Sequence, residues 1–344
     1  MGGDGTWEEE DLGRAVDRAC RGVGFFYVAG HGVEEALLGS VLSMSGQLFA
    51  LPEETKRGRL GQTADNRGWT PLGEERLDPG RQPEGAGDTK EGFYIGREVS
   101  EGTEERRRPY HGGNVWPGER CVPGFRSTME HYFAEMSRVA MRLVRVLCVA
   151  MKLPPGFFDR PGRFDRPCAV LRLLRYAETR SDPGRGVFAA GAHTDYGMLT
   201  LLHTDGKPGL QICVDRSRRD DEDAWVDVPH RPGCLVVNLG DMLERWSNGA
   251  YRSTLHRVII GRTREEGDEK EGGDDGGGGG KHVPDGPRLS VPFFFDPNFD
   301  CLVECLPGFG EPRFPPITSG EHLAQRYAAT HDGLKAPPGA RKRL

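Results

Sequence analysis

Hydrophobic positions in the first part of the chain follow the spacing of helices that bury one face. Apolar residues recur every three or four positions in residues 8–23, 34–51 and 123–153, and the last of these carries the longest apolar stripe. Residues 57–120 are instead polar and rich in glycine, proline and arginine. We therefore expect residues 1–160 to form a largely helical region that covers the rest of the molecule.

Beyond residue 164 the pattern changes to short apolar runs separated by turn-forming residues. The predicted strands are Ala169–Tyr176, Gly191–Leu202, Leu210–Val214, Ala224–Val228, Cys234–Leu239, His256–Ile260 and Leu289–Phe295. Short strands at this spacing are typical of a sandwich, a barrel or a jelly roll. The predicted fold class is mainly β with flanking helices. Its β core occupies residues 161–300, and a C-terminal helix and tail follow in residues 301–344.

Composition and charge narrow the function classes. The 344 residues are 36% hydrophobic and 28% charged, with a net charge of −6, which disfavours nucleic acid or an anionic membrane surface as a partner. The sequence has neither the apolar run of a signal peptide nor the roughly 20 apolar residues that span a bilayer. The eight cysteines are scattered without a C-x-x-C pair, which indicates reduced thiols. We expect a cytoplasmic monomer.

One segment lacks the composition to bury a core. Residues 263–286 contain five consecutive glycines and many acidic residues. Such low complexity favours a disordered surface insertion between two strands. The segment also lacks the ordered ligand spacing of a calcium-binding loop.

The tripeptide His-Thr-Asp occurs twice, at His193–Asp195 and at His203–Asp205. A histidine and an aspartate two positions apart on a strand face the same side, so that either pair could hold a metal ion. The second pair precedes GKPG, which predicts a hairpin turn with a solvated histidine and an aspartate that caps the turn. The first pair precedes the uninterrupted apolar run YGMLTLL, where a rigid strand can hold ligands. We therefore assign metal binding to His193 and Asp195.

The best candidate for a third ligand is His256, which opens the apolar run HRVII. Two imidazoles and one carboxylate form the facial triad of non-haem Fe(II) oxygenases, which leaves metal positions open for a cosubstrate and O2. A zinc hydrolase can use similar ligands, so the triad by itself leaves the identity of the metal open.

Arg288 and Ser290 lie two positions apart in PRLSVPFFF and therefore face the same side of the next strand. A guanidinium fork with a hydroxyl beside it can clamp a carboxylate. Because an apolar strand seldom directs an arginine inward without a partner, these two residues indicate a carboxylate ligand near the triad.

Together and in this order, these motifs resemble those of the iron- and 2-oxoglutarate-dependent dioxygenases of the isopenicillin N synthase-like family. The resemblance covers roughly residues 10–330, through GFFYVAGHGV, RGWTPLGEE, DTKEGFYIG, AHTDYGMLTLL, NLGDMLERWSNGAYRSTLHRV and RLSVPFFFDPNFD. It implies a double-stranded β-helix, or jelly roll, as the core. It also implies that Fe(II) is held by His193, Asp195 and His256.

The same resemblance implies that 2-oxoglutarate and O2 are cosubstrates and that Arg288, Ser290 and Tyr176 hold the distal carboxylate of 2-oxoglutarate. A small molecule would then undergo hydroxylation, desaturation or ring closure, with succinate and CO2 as coproducts. The stretch LRLLRYAE around Tyr176 is similar to isopenicillin N synthase itself, in which no oxoacid is used. An Fe(II) oxidase that draws all its electrons from its substrate is therefore the first alternative. A non-enzymatic jelly-roll binding protein is the second.

Other family-like residues are interpreted as scaffold or pocket lining. Asn238–Asp241 resembles a strand-to-helix turn, with Asp241 as the helix N-cap. Tyr94 and either Phe293 or Phe295 are expected to line the substrate pocket.

Overall fold

The computed structural model describes residues 9–261 and 286–330, so the segment 263–286, apart from Gly286, lies outside the described residues. The described helices are α1 (Glu9–Arg21), α2 (Glu35–Phe49), α3 (Glu53–Arg59), α4 (Phe125–Ala150), α5 (Asp241–Trp246) and α6 (Ser319–Thr330). The described strands are β1 (Phe25–Ala29), β2 (Gly68–Thr70), β3 (Lys90–Gly96), β4 (Pro167–Tyr176), β5 (Ala190–His193), β6 (Leu199–Thr204), β7 (Leu210–Cys213), β8 (Trp225–Asp227), β9 (Cys234–Leu239), β10 (His256–Val258), β11 (Arg288–Asn298), β12 (Leu302–Val303) and β13 (Ile317–Thr318).

Two antiparallel sheets carry the architecture. The large sheet has seven strands in the order β1-β9-β6-β11-β4-β3-β2, and the small sheet has four in the order β5-β10-β7-β8. The strands of the predicted β core are thus divided between both sheets. The first three strands of the chain, which lie in the N-terminal covering region, extend the large sheet at its two ends.

Helix α4 braces the large sheet because its apolar positions form one continuous stripe. Met136, Val139 and Leu143 in this stripe are buried, as the periodicity predicts, and α2 and α4 both contact β11. Aromatic side chains contribute to this contact, because the ring of Phe133 on α4 packs edge-on against that of Phe293 on β11. None of the helices in residues 9–261 and 286–330 is long and apolar enough to cross a membrane.

The opposite face of the large sheet packs against the small sheet. A cluster of buried side chains takes Leu174 and Val236 from the large sheet and Ala190, Leu210 and Val258 from the small one. Two antiparallel sheets packed face to face, with helices outside one of them, form the jelly-roll architecture that was predicted. The space between the sheets is where the candidate site residues meet.

The prediction of one strand over Gly191–Leu202 is wrong. The structure divides this run into β5, which ends in the small sheet, and β6, which begins in the large one, so the chain crosses between sheets within HTDYGM. Gly197 permits the crossing, because a Cβ atom there would lie 1.9 Å from the carboxylate of Asp296. The predicted hairpin after His203 is a second crossing, since β6 and β7 also belong to different sheets.

Candidate active site

Three potential metal ligands meet where the chain leaves the small sheet. His193 ends β5, His256 begins β10, and the two are direct cross-strand partners. Asp195 follows in the crossing, where its Oδ1 lies 3.9 Å from Nε2 of His193 and 3.7 Å from Nε2 of His256. One atom of each side chain lies within 4.8 Å of the other two, and the described part of the chain has no second group of three with this property. The structure therefore brings the predicted triad together.

Hydrogen bonds orient both histidines with one nitrogen free for a metal. Nδ1 of His193 lies 2.7 Å from the carbonyl oxygen of Gly191, and Nδ1 of His256 lies 3.0 Å from that of Thr254. Because a carbonyl oxygen can only accept, each Nδ1 carries the proton and donates it. The lone pair of each Nε2 then remains available to a metal ion.

The aspartate is oriented through its other carboxylate oxygen. Thr200 Oγ1 and Asn238 Nδ2 each donate a hydrogen bond of 2.6 Å to Oδ2 of Asp195, which leaves Oδ1 facing the histidines. The interpretation of Asn238 as scaffold misses this contact. The prediction of Asp241 as N-cap is also wrong, because Gly240 occupies that position of α5.

Burial and neighbouring charges shift the pKa values of His193 and Asp195 in the directions that favour metal binding. Burial, followed by the neighbouring charge of His256, lowers the pKa of His193 to about 3. Burial alone would raise the pKa of Asp195, but attraction to the two histidines outweighs it and lowers the pKa overall. A neutral imidazole and an ionised carboxylate therefore face the site near neutral pH. Two imidazoles and one carboxylate are the donor set of a non-haem iron site.

A cavity between the two sheets, here called the inner cavity, is lined by all six residues predicted to bind metal and cosubstrate: His193, Asp195, His256, Tyr176, Arg288 and Ser290. Its remaining walls are largely apolar and include Phe25, whose ring packs edge-on against His256. An apolar enclosure strengthens charge interactions inside it, because water does not compete.

Arg288 lies at one end of the inner cavity, where its buried guanidinium is held in a fixed orientation that suits an anion. It is only 4% exposed, pairs across the strands with Tyr176, and its guanidinium carbon lies 5.0 Å from the centre of the Tyr176 ring. Its Nε donates to the carbonyl oxygen of Lys207, and Ser290 Oγ donates to Tyr176 Oη at 3.3 Å. Nη1 of Arg288 is buried and has no hydrogen-bond partner among the described residues. Because an unsatisfied buried N–H is costly, this group fits a ligand carboxylate.

A second cavity, here called the outer cavity, lies beside His193 and Asp195 and is lined by residues from both ends of the chain. Tyr94 lines it, as predicted, together with Phe294. The prediction that Phe293 or Phe295 lines the pocket is wrong. Side chains alternate along β11, so these two point into the helix-facing core, where both are fully buried.

A buried group of ion pairs forms the wall that the two cavities share. Arg172 lines both cavities and binds Glu75 through two hydrogen bonds of 3.2 and 2.8 Å. Lys90 lies 2.9 Å from Glu75 and also pairs with Asp88. Sequence reasoning missed this group, because Glu75 and Arg172 are 97 positions apart and neither shows a local signal. Its two cations and two carboxylates balance in charge.

The second His-Thr-Asp tripeptide lies outside the triad. The predicted solvation of His203 is wrong, since its Nε2 is buried and burial lowers the pKa of the ring to about 4. The prediction for the aspartate is correct, because Oδ1 of Asp205 accepts a hydrogen bond of 3.1 Å from the backbone N–H of Lys207 and so caps the turn.

Comparison with known proteins places this geometry in a family. Residues 168–297 match the family model of the 2OG-Fe(II) oxygenase superfamily, and residues 3–119 match that of the N-terminal region of non-haem dioxygenases in morphine synthesis. Kihadalactone A synthase LFS of Citrus sinensis is 30% identical over 317 residues, which cover 91% of this chain and 86% of the relative. The chain belongs to the 2OG-Fe(II) oxygenase superfamily.

Two further relatives of this oxygenase support the same assignment. The 2-oxoglutarate-dependent dioxygenase caaD of Aspergillus niger is 36% identical over 255 residues, covering 73% of this chain and 74% of the relative. The crystal structure of a full-length Neurospora crassa protein in complex with alpha-KG (2-oxoglutarate) superposes with a TM-score of 0.75 at 30% identity. That alignment covers 95% of this chain and 92% of the Neurospora crassa chain.

The oxygenase is therefore an oxidoreductase that uses Fe(II), 2-oxoglutarate and O2 to oxidise a small molecule. This result confirms the family resemblance and the jelly-roll core. It favours 2-oxoglutarate dependence over the two alternatives, an oxidase without an oxoacid and a non-enzymatic binding protein.

Proposed function

We propose that His193, Asp195 and His256 hold Fe(II) and that Arg288, Ser290 and Tyr176 hold the distal carboxylate of 2-oxoglutarate. The observation that carries this proposal is the buried Nη1 of Arg288, which has no hydrogen-bond partner in the described part of the chain and belongs to the same cavity as the triad. A dicarboxylate could bind the metal through one end and accept a hydrogen bond from this guanidinium through the other.

The two cavities would bind different molecules, the inner one the cosubstrate and the outer one the substrate. When bound, Fe(II) with 2-oxoglutarate and O2 supplies the oxidising power, with succinate and CO2 as coproducts. Arg288 and Ser290 orient the cosubstrate, and the apolar walls of the inner cavity exclude water from it. Because His193 and Asp195 line both cavities, a substrate in the outer cavity would lie next to the metal.

Hydrogen bonds around the triad hold these ligands in place before anything binds. The bonds to Gly191 and Thr254 occupy Nδ1 of each histidine and so direct Nε2 toward the metal site, and those from Thr200 and Asn238 fix the carboxylate. Arg172, which lines both cavities and is held by Glu75, would lie between the cosubstrate and the substrate. The chain thereby orients the metal ligands and excludes water, while the metal supplies reactivity.

The test is an anaerobic titration of the apo-protein with Fe(II) and then with 2-oxoglutarate, following the visible metal-to-ligand charge-transfer band. We expect the band in the wild type, and we expect Arg288→Gln to need roughly 30-fold or more 2-oxoglutarate to develop it. Arg180→Gln, which removes an exposed arginine after β4, is the matched control and should behave as wild type. Iron binding without any band in the wild type would contradict the proposed cosubstrate site.

We propose further that the enzyme works as a cytoplasmic monomer without nucleic acid or membrane partners. All eight cysteines are free thiols, which supports a reducing compartment, and the net charge of −6 disfavours polyanionic partners. Size-exclusion chromatography with light scattering tests the oligomeric state, and a mass near twice the 37.9 kDa of one chain would contradict it.

A further inference from the structure

The outer cavity is lined by one arginine that forms no ion pair with a carboxylate of the described residues. Arg67 lines this cavity and is only 3% exposed. Its Nη1 donates to the carbonyl oxygens of Asp65 and Asn66, both at 3.1 Å, and its Nη2 donates to that of Tyr110 at 2.6 Å. Nε is buried without a hydrogen-bond partner in the described part of the chain. No carboxylate forms an ion pair with Arg67 within residues 9–261 and 286–330.

The two other arginines of the outer cavity differ from Arg67 in this respect. Arg172 is held by the carboxylate of Glu75, and Arg97 pairs with Glu105. A buried charge without a counter-charge is destabilising, because burial removes the water that would otherwise solvate it. Arg67 therefore carries a positive charge that an anion in the cavity could neutralise.

The backbone around Arg67 is strained in a way that keeps its guanidinium in place. Asn66 and Tyr110, two of the residues whose carbonyl oxygens accept from Arg67, adopt positive φ angles of 62° and 65°. This left-handed conformation is unfavourable for a residue with a side chain and recurs at functional sites. Gly96 completes the arrangement, since a Cβ atom there would lie 2.0 Å from Nη2 of Arg67.

Aromatic rings surround the same cavity. The ring centre of Tyr327 lies 5.1 Å from that of Tyr110 and 5.6 Å from that of Tyr196, and all three residues line the cavity. Tyr94 and Phe299 add two further rings to the lining. Such walls favour a flat, apolar ligand body, because rings bury large areas and stack in defined geometries.

We propose that the substrate of this oxygenase is a small aromatic acid whose carboxylate binds Arg67 and whose ring packs among the tyrosines of the outer cavity. This inference rests on the proposed function, since it places the acid beside the metal that His193 and Asp195 would hold. The carboxylate supplies the ion-pair partner that Arg67 lacks among the described residues, and an acceptor for its Nε–H. The ring presents its C–H bonds to the metal side of the cavity.

The test measures binding, and not turnover, to the anaerobic complex of the full chain with Fe(II) and saturating 2-oxoglutarate. The probes are arylcarboxylates and the primary amides of the same aryl groups, beginning with phenylacetate and phenylacetamide, titrated by calorimetry. We expect acids to bind roughly tenfold or more tightly than their amides, because a charge-assisted bond is replaced by a neutral one. Arg67→Gln should abolish this preference, whereas Arg97→Gln, which removes an already paired cation, should keep it.

Equal binding of acids and amides by the wild type, or binding of neither, would overturn the proposal. An undiminished preference in Arg67→Gln would overturn it as well. The charge-transfer band of each variant reports whether the inner cavity is intact. If Arg67→Gln lacks the band, the comparison of acid with amide in the wild type still decides the outcome. Absence of the band in the wild type instead counts against the proposed function, so the two failures are distinguishable.

Discussion

The two His-Thr-Asp tripeptides are identical in sequence and differ in what the backbone does around them. After His193 the chain leaves the small sheet at once, and the crossing brings Asp195 back beside the histidine. His203 lies within β6, and the strand continues to Thr204 in the large sheet before the chain turns. Both tripeptides precede a change of sheet, but the strand ends at the histidine in the first and one residue after it in the second. The difference teaches that the point at which the strand ends, and not the tripeptide, decides whether the aspartate comes to lie beside the histidine.

The second tripeptide supports the cosubstrate side of the site. Oδ2 of Asp205 accepts a hydrogen bond of 2.8 Å from the backbone N–H of Leu289, the residue after Arg288. The turn that Asp205 caps also contains Lys207, whose carbonyl oxygen accepts from Nε of Arg288. One copy therefore provides two of the proposed metal ligands, and the other anchors the strand that carries Arg288.

The largest expected effect separates the two histidines. His193→Ala removes one of three metal ligands and should weaken Fe(II) binding by more than the roughly 100-fold that loss of an outer hydrogen bond can cost. His203→Ala should leave the affinity for Fe(II) unchanged. An anaerobic Fe(II) titration in the presence of 2-oxoglutarate measures both. Loss of iron in His203→Ala with retention in His193→Ala would reverse the comparison.

A smaller effect is expected from two threonines of the same strand. Thr200→Val removes a donor to Oδ2 of Asp195 without changing the size of the side chain, and Fe(II) affinity should fall by roughly 10- to 100-fold. Thr204→Val makes the same change in the second tripeptide, where the hydroxyl lies 3.4 Å from His230, and should not affect the metal. The same titration applies. Equal affinities in the two variants would show that the hydrogen bond from Thr200 does not support the metal site, since Asn238 still donates to Oδ2 of Asp195.

Asp205→Ala tests whether the second tripeptide positions Arg288. Loss of the bonds to Lys207 and Leu289 should raise the KM for 2-oxoglutarate about tenfold, the equivalent of about 1.4 kcal/mol, with kcat and Fe(II) affinity nearly unchanged. Steady-state succinate formation at varied 2-oxoglutarate measures the split between KM and kcat. A fall in kcat at constant KM would mean that the turn acts on another step.

Sequence patterns predicted the elements that bury one face and the residues whose chemistry is distinctive. The stripe of α4 and the order of His193, Asp195, His256 and Arg288 belong to this class. The sheet crossing could not be predicted, because an apolar run has the same pattern whether it lies in one sheet or two. Contacts between distant segments were also missed, such as Asn238 with Asp195.

His203 shows how that missed crossing changes a prediction about stability. A solvated histidine would titrate near its ordinary value, but burial lowers the pKa of His203 from 6.5 to about 4. The unfolded chain then binds a proton at pH values where the folded chain does not. The contribution of this group to stability is therefore fully present above pH 6.5 and is lost as the pH falls toward 4.

The smallest effect follows from this pKa shift and is measured as a difference between two proteins. Between pH 7 and pH 5.5, apo wild type should lose about 1 kcal/mol more unfolding free energy than apo His203→Gln, which has no titrating group there. Denaturant titrations at the two pH values measure the difference, and all other ionisable groups are common to both chains. Equal losses would mean that His203 is protonated as readily in the folded chain as in the unfolded one, and that the two tripeptides differ more in burial than the structure shows.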